Sequence, residues 1–237
     1  GGMGTLLQEK GLAPGELPET WNLTHSEEIY KIHRQYIEAG SDIILTNTFG
    51  ANALKFHDDS CSLEEIIKAA VSHVKKAERE ALLQTGDERK IYTALDVGPT
   101  GKLLKPMGDL EFETAYEAFK EVVILGEQAG ADLIHIETMS DTYELKAAVL
   151  AAKENTSLPV FATVIFDERK KLLTGADVSS VVALLEGLGV DALGINCAMG
   201  PKEMLPVLEE LIKYSSVPII VKPNAGLPKP VSYTHLR

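Results

Sequence analysis

Three residues in this chain stand where strands end and carry side chains that could do chemistry. Cys197 closes Gly194-Ile195-Asn196-Cys197, Glu137 ends Asp132-Leu-Ile-His-Ile-Glu137, and Asn224 ends Ile219-Ile-Val-Lys-Pro-Asn224. A thiolate can bind Zn²⁺, a carboxylate can hold an ammonium group, and an amide oxygen can serve as a weak, replaceable metal ligand. Each residue also has a structural role open to it. A buried cysteine acts as a small hydrophobe, Glu137 can favour the dipole of a following helix, and Asn224 can be a turn residue before Ala225-Gly226. The decision rests on whether the fold gathers these strand ends.

Other features carry less. Gly1-Gly2-Met3-Gly4-Thr5 can form a nest of backbone N–H groups that receives a carboxylate, because glycine permits close approach and positive φ. Gly98-Pro99-Thr100-Gly101 reads as a turn shaping a pocket at a strand end. His135 is read as a packing residue within a strand. His25, His33, His57 and His73 lack an i, i+4 partner and are given no metal role. Cys61, beside Asp58, Asp59 and Ser60, has no second soft ligand near it in sequence.

The elements that must position these residues follow from the hydrophobic period, which switches repeatedly between 2 and 3.6. Strands are expected at Asp42 to Thr46, Lys90 to Leu95, Asp132 to Ile136, Pro159 to Ile165, Asp191 to Ile195 and Pro218 to Val221. Most are continuous apolar runs, as parallel strands covered on both faces require. Helix starts are expected at Thr24 with Glu27, Ser62 with Glu65 and Asp141 with Glu144, each a side-chain cap followed by Glu at the third position. Pro201 suits a first helical turn, and Gly40, Gly86 and Gly130 suit left-handed helix ends.

Strict alternation of strand and helix implies an α/β domain with a parallel sheet. No strand is followed by the Gly-rich turn and distant acid of a dinucleotide-binding sheet. Instead polar residues follow nearly every strand: Asn47 and Thr48, Asp96, Glu137 with Ser140 and Asp141, Asp167, Asn196 with Cys197, and Asn224. A site built from many strand ends is the signature of a (β/α)8 barrel's carboxyl face. Composition narrows the partners. The 237 residues carry a formal charge of −12 and two cysteines, so nucleic acid, anionic membrane and a disulfide framework are all disfavoured. With no apolar run of about 18 residues and no signal-peptide pattern at Gly1 to Thr5, the chain is expected to be cytoplasmic.

Taken together, Gly1-Gly-Met-Gly-Thr-Leu-Leu-Gln8, Glu19-Thr-Trp-Asn-Leu23, Thr46-Asn-Thr-Phe-Gly-Ala-Asn52, Gly98-Pro-Thr-Gly101, Glu137-Thr-Met-Ser-Asp141, Gly194-Ile-Asn-Cys197 and Lys222-Pro-Asn-Ala-Gly-Leu-Pro228 resemble the homocysteine S-methyltransferase family. Within that family they are most similar to the homocysteine-binding module of its cobalamin-dependent branch. The resemblance implies a (β/α)8 TIM barrel that binds zinc through three cysteines and activates the homocysteine thiol for methylation to methionine. Zinc-bound thiol is held as thiolate, whereas a free thiol of pKa about 8.5 is mostly protonated at neutral pH.

By the same resemblance Cys197 is the first zinc ligand and the catalytic residue. Glu137 holds the substrate ammonium, and the Gly2-Met3-Gly4 backbone lies near its carboxylate. Asn47 and Asn196 line the substrate, and Asn224 stands close enough to zinc to be a ligand. The remaining two ligands, a Cys-Cys pair in a Gly-Gly-Cys-Cys motif, have no counterpart in this chain. The implied donor is methylcobalamin on a partner module, recharged by a methyltetrahydrofolate module. The alternatives are S-methylmethionine, S-adenosylmethionine or betaine.

Set against the family pattern, the barrel of residues 1–230 is expected to be incomplete, with its first strand mostly missing and its eighth absent. The tail 231–237 reads as unrelated or artefactual sequence. A second class of reading follows, in which these residues alone are a non-catalytic fragment holding no stoichiometric zinc.

Overall fold

The computed structural model describes residues 2–56, 61–86, 88–197, 199–224, 230–232 and 235–236. Gly1, His57 to Ser60 and Ala225 to Pro228 lie outside them. In chain order the elements are α1 (Met3–Glu9), a single 3-10 turn (Pro18–Thr20), α2 (Trp21–Thr24), α3 (Ser26–Glu38), β1 (Ile43–Leu45), α4 (Leu63–Thr85) and β2 (Tyr92–Val97). There follow α5 (Phe112–Ala129), β3 (Leu133–Met139), α6 (Thr142–Asn155), β4 (Val160–Val164), α7 (Val178–Gly187), β5 (Ala192–Asn196), α8 (Pro201–Tyr214) and β6 (Ile219–Lys222). Two short strands, β7 (Pro230–Ser232) and β8 (His235–Leu236), form a separate antiparallel pair.

The six expected strands all form, and they make one parallel sheet in the order β1-β2-β3-β4-β5-β6. Sequential order without a reversal rules out a doubly wound sheet, whose strand order must switch. Helices α4 to α8 pack successively on one another and so cover a single face. The other face carries no helix between strands, the arrangement of consecutive units of a barrel. Among the described residues β1 and β6 remain the two edges, so the sheet is curled but open.

Alternation divides each strand between two faces. Leu95, Val97, Ile134, Ile136, Val160, Ala162, Val164, Leu193 and Ile195 point toward the helices and join Phe119, Val123, Ala148 and Ala152 in the main core. The inner face holds the intervening residues: Asp96 is the register partner of His135, His135 of Phe161, Thr163 of Gly194 and Asn196 of Lys222.

Local signals mostly hold. Ser62 and Glu65 form a reciprocal capping box on α4, Pro201 opens α8, and Gly40, Gly86 and Gly130 adopt positive φ of 100°, 67° and 95° at helix ends. Two expectations need correction. Thr24 does not cap α3, because it is still the last residue of α2 and its hydroxyl donates back to the Thr20 carbonyl (3.2 Å); His25 takes the N-cap position without a side-chain bond. Asp141 caps α6 by accepting from the Tyr143 N–H (2.9 Å), but Glu144 turns inward. It is only 3% exposed and accepts from the Thr100 N–H and hydroxyl at 2.7 and 2.6 Å, fixing the Gly98 to Gly101 turn.

Candidate functional site

The carboxyl ends of the strands place Asn47, Asp96, Glu137, Asn196, Cys197, Lys222 and Asn224 on one rim. Cys197 leaves β5 with φ of 59°, a left-handed conformation uncommon for a residue with a Cβ, and is exposed. Its N–H donates to the Lys222 carbonyl (3.1 Å), while the Asn224 N–H donates to the Met199 carbonyl (3.1 Å). These two bonds stitch the ends of β5 and β6 together and bring Cys197 and Asn224 to adjoining positions.

Glu137 sits at an irregularity in β3, where pairing with β4 shifts between Ile136 and Met139. The next residue, Thr138, has φ of 65°. Such backbone persists only when the surroundings hold it, and Asn196 does so from two strands away. Its Oδ1 accepts from the Thr138 N–H (3.0 Å) and its Nδ2 donates to the Thr138 hydroxyl (2.8 Å). One side chain therefore couples the acid's segment to the residue preceding the thiol. Asn47 is similarly occupied: its Nδ2 donates to the Pro18 carbonyl (2.8 Å) and to Asn22 Oδ1 (3.2 Å). Both amides serve the frame of the site through the bonds they make.

The electrostatics centre on Glu137. Lys222 Nζ donates to its Oε2, and His135 Nε2 stands 3.6 Å from the same oxygen. Burial alone would raise the carboxyl, but the neighbouring His135 ring and the Lys222 ammonium outweigh it and hold the group down to about 2. Burial pushes His135 the other way, toward the neutral ring. Asp96, 6% exposed, is pushed well above the usual carboxylate range, first by burial and then by the negative charge of Glu137. Glu19 is raised by burial, though the Gly50 N–H donates to its Oε1 at 2.6 Å.

Buried polar atoms normally find partners. In this region Glu19 Oε2, Asp96 Oδ1, His135 Nε2 and Thr163 Oγ1 are buried without any. Sequence reasoning named Asp96 as a strand-end residue but did not foresee that these atoms gather without partners. It treated His135 as a packing residue, although i, i+2 spacing from Glu137 already puts both on one face. Lys222 was passed over because only the sheet brings it opposite β3.

The glycine-rich start forms a helix terminus, with Gly1 outside the described residues. Gly2 is the N-cap of α1, with φ of −79°, and Met3 packs beside the Leu7, Leu12, Trp21, Ile29 and Ile32 cluster. Gly2, Met3 and Gly4 thus begin a short helix. Cys61 packs against the helix-side core, next to the Ser62 N-cap of α4. Among the described residues no group of three or more His, Cys, Asp or Glu is arranged to hold a metal ion. Cys197 and Asn224 stand on adjoining strand ends. No helix of the described residues is long and apolar enough to cross a membrane.

Known proteins are similar to this chain in sequence and in fold. The chain is 35% identical over 239 aligned positions to methionine synthases of Mycobacterium leprae and Mycobacterium tuberculosis, with 96% of this chain aligned in each case. It spans 20% of the length of those relatives. Among solved structures, the metallated form of the homocysteine methyltransferase MmuM from Escherichia coli superposes with a TM-score of 0.84 at 24% identity, covering 94% of this chain and 82% of that one. Its apo form superposes with a TM-score of 0.78. The homocysteine S-methyltransferase family model matches residues 1–235, and the chain therefore belongs to the homocysteine S-methyltransferase family.

Proposed function

We propose that this chain binds homocysteine at the carboxyl rim of its sheet and presents the thiol for methylation to methionine. The observation that carries the reading is the joining of Glu137 and Cys197 through Asn196, which fixes an anion and a thiol on one rim. Glu137, kept ionised at neutral pH, is suited to hold the substrate ammonium. Cys197, exposed at the end of β5 with a left-handed backbone, is a ligand for zinc; Asn224 lies next to it. When bound, zinc would keep the substrate sulfur as thiolate at neutral pH. The chain's own part is to orient the amino acid so that its sulfur faces the open rim.

Two donors do not close a zinc shell. The described residues thus supply two of the four donors that a tetrahedral zinc shell takes. Gly2 to Gly4 would then border the substrate carboxylate. The 35% identity to methionine synthases favours methylcobalamin on a partner module as donor, recharged by a methyltetrahydrofolate module, in a cytoplasmic enzyme. The superposition on a homocysteine methyltransferase of other construction keeps S-methylmethionine, S-adenosylmethionine or betaine as the second reading.

The test measures metal content and homocysteine-dependent methyl transfer on the full-length protein and on these 237 residues. Full-length protein should bind about one zinc, and Cys197→Ala should lose both metal and transfer. The 237 residues alone should hold no stoichiometric zinc. A Cys197→Ala protein with full activity would refute the assignment.

A further inference from the structure

Lys222 brings a cation to the rim and is tied there at both ends. As the register partner of Asn196 it stands on the inner face with the site residues. Its carbonyl accepts from the Cys197 N–H (3.1 Å), which joins its backbone to the thiol. Its side chain reaches across the curled sheet, and Nζ donates to Glu137 Oε2. An ammonium group has three N–H donors. Among the described residues Nζ has no other acceptor, and Glu137 Oε1 accepts no hydrogen bond. The lysine side chain is 33% exposed against 14% for Glu137, so the pair opens to solvent on the side of the lysine.

The pair is therefore an oriented dipole with bonding capacity left at each end. The groups beside it add little charge, because burial holds His135 toward the neutral ring and Asp96 toward the protonated acid. A ligand with a single charge upsets this balance. A bare amine sets two ammonium groups around Glu137, and a bare acid sets two carboxylates around Lys222. Like charges a few ångströms apart in partly buried surroundings repel. A zwitterion meets both ends at once, its charges running antiparallel to the pair.

We propose that Lys222 receives the α-carboxylate of the amino acid on the N–H donors that Glu137 leaves free, so that the ligand binds as a zwitterion across a standing ion pair. The inference rests on the reading of Glu137 as the ammonium's partner and extends it to the other end of the ligand. Gly2 to Gly4, which border the carboxylate in that reading, carry no charge, so Lys222 is the cation it meets. The backbone bond between Cys197 and Lys222 then ties the residue at the ligand's sulfur to the residue at its carboxylate.

Three propanethiols that differ only at the third carbon separate the two ends. L-Homocysteine carries both charges, 3-aminopropanethiol lacks the carboxylate, and 4-mercaptobutanoate lacks the ammonium. All share the sulfur, so contact with zinc is common to them. Calorimetric titration of zinc-loaded full-length protein gives each affinity, and the ratio of two ligands on one preparation does not depend on the fraction folded. Lys222→Met should weaken L-homocysteine by about tenfold or more and leave 3-aminopropanethiol unchanged or tighter, since the competing ammonium has gone. Lys222→Arg keeps a cation and should hold the ratio of the two affinities within about threefold of wild type. Equal weakening of both ligands in Lys222→Met would make Lys222 a support for Glu137 alone and overturns the proposal. Unchanged or tighter L-homocysteine in Lys222→Met overturns it as well, and so does a ratio in Lys222→Arg as low as in Lys222→Met. Glu137→Gln tests the reading beneath, and should weaken L-homocysteine and 3-aminopropanethiol while sparing 4-mercaptobutanoate. Unchanged affinity for both amines removes the Glu137 reading itself, whereas their loss in Glu137→Gln with equal losses in Lys222→Met removes only the role of Lys222.

Discussion

The two faces of one sheet obey different rules. On the helix side, residues such as Ile134, Ile136, Val164 and Leu193 are fully buried against α4 to α8 and almost every group is apolar. On the inner side the same strands carry Asp96, His135, Thr163 and Glu137, three of them with orphaned buried atoms. Strand alternation lets each face be chosen independently, so a chain can concentrate stability on one and retain unfavourable polar groups on the other. The orphaned groups lower stability where they stand. Asp96, His135 and Thr163 share the inner face beside an acid and a thiol, which marks that face as the one built for a ligand.

Substitutions on the helix face should therefore read out in stability, and those on the inner face in ligand binding as well. Phe119→Ala on α5, emptying a fully buried ring from the helix-side core, should cost about 3–5 kcal/mol in chemical denaturation; a cost under 1 kcal/mol would show that this face is not the stabilising one. The helix side has an exception in His33 on α3, which burial and the nearby charge of His73 hold down to about 3. Its native form binds fewer protons than the unfolded chain, so it contributes stability that is full above the ordinary histidine pKa of about 6.5 and lost as pH falls toward 3. His33→Leu should flatten the acid limb of stability over that window by a few kcal/mol, as read from urea midpoints against pH. An unchanged slope would assign the acid limb to other groups.

On the inner face, Asn196→Ala removes two bonds to Thr138 and should cost about 1–3 kcal/mol while weakening homocysteine binding through the misplaced Glu137. Loss of stability with wild-type affinity would reduce Asn196 to a frame residue. Thr163→Val replaces an orphaned hydroxyl with a methyl group and should stabilise the ligand-free protein by about 1 kcal/mol. Destabilisation there would mean the hydroxyl is satisfied after all. Smallest of all, Lys120→Gln breaks a pair with Glu117 on the outer surface of α5, and its effect should stay within about 0.5 kcal/mol.

How far these faces could be read in advance varies with the range of the interaction. The six strands, the Ser62 capping box and the glycine helix ends were legible because each depends on residues within a few positions. The Thr24 signal misled because its hydroxyl had a nearer acceptor in Thr20 than the turn it was expected to cap. Cys197, Glu137 and Asn196 were found as strand-end residues. The substance of the site lay elsewhere, in Asp96 beside His135, Lys222 against Glu137 and Asn196 across to Thr138.

The amino-acid sequence by itself determined the alternation of strands and helices, the polar character of the strand ends and the family to which they belong. Tertiary structure alone decided which polar groups became partners. Register sets which residue of β2 meets which residue of β3, and curling brings β6 within reach of β3 although 85 positions separate Lys222 from Glu137. The physical reason is that propensity and capping act through adjacent residues. Charge pairing and burial act through space, and only the closed packing of helices on one face fixes the distances at which they act.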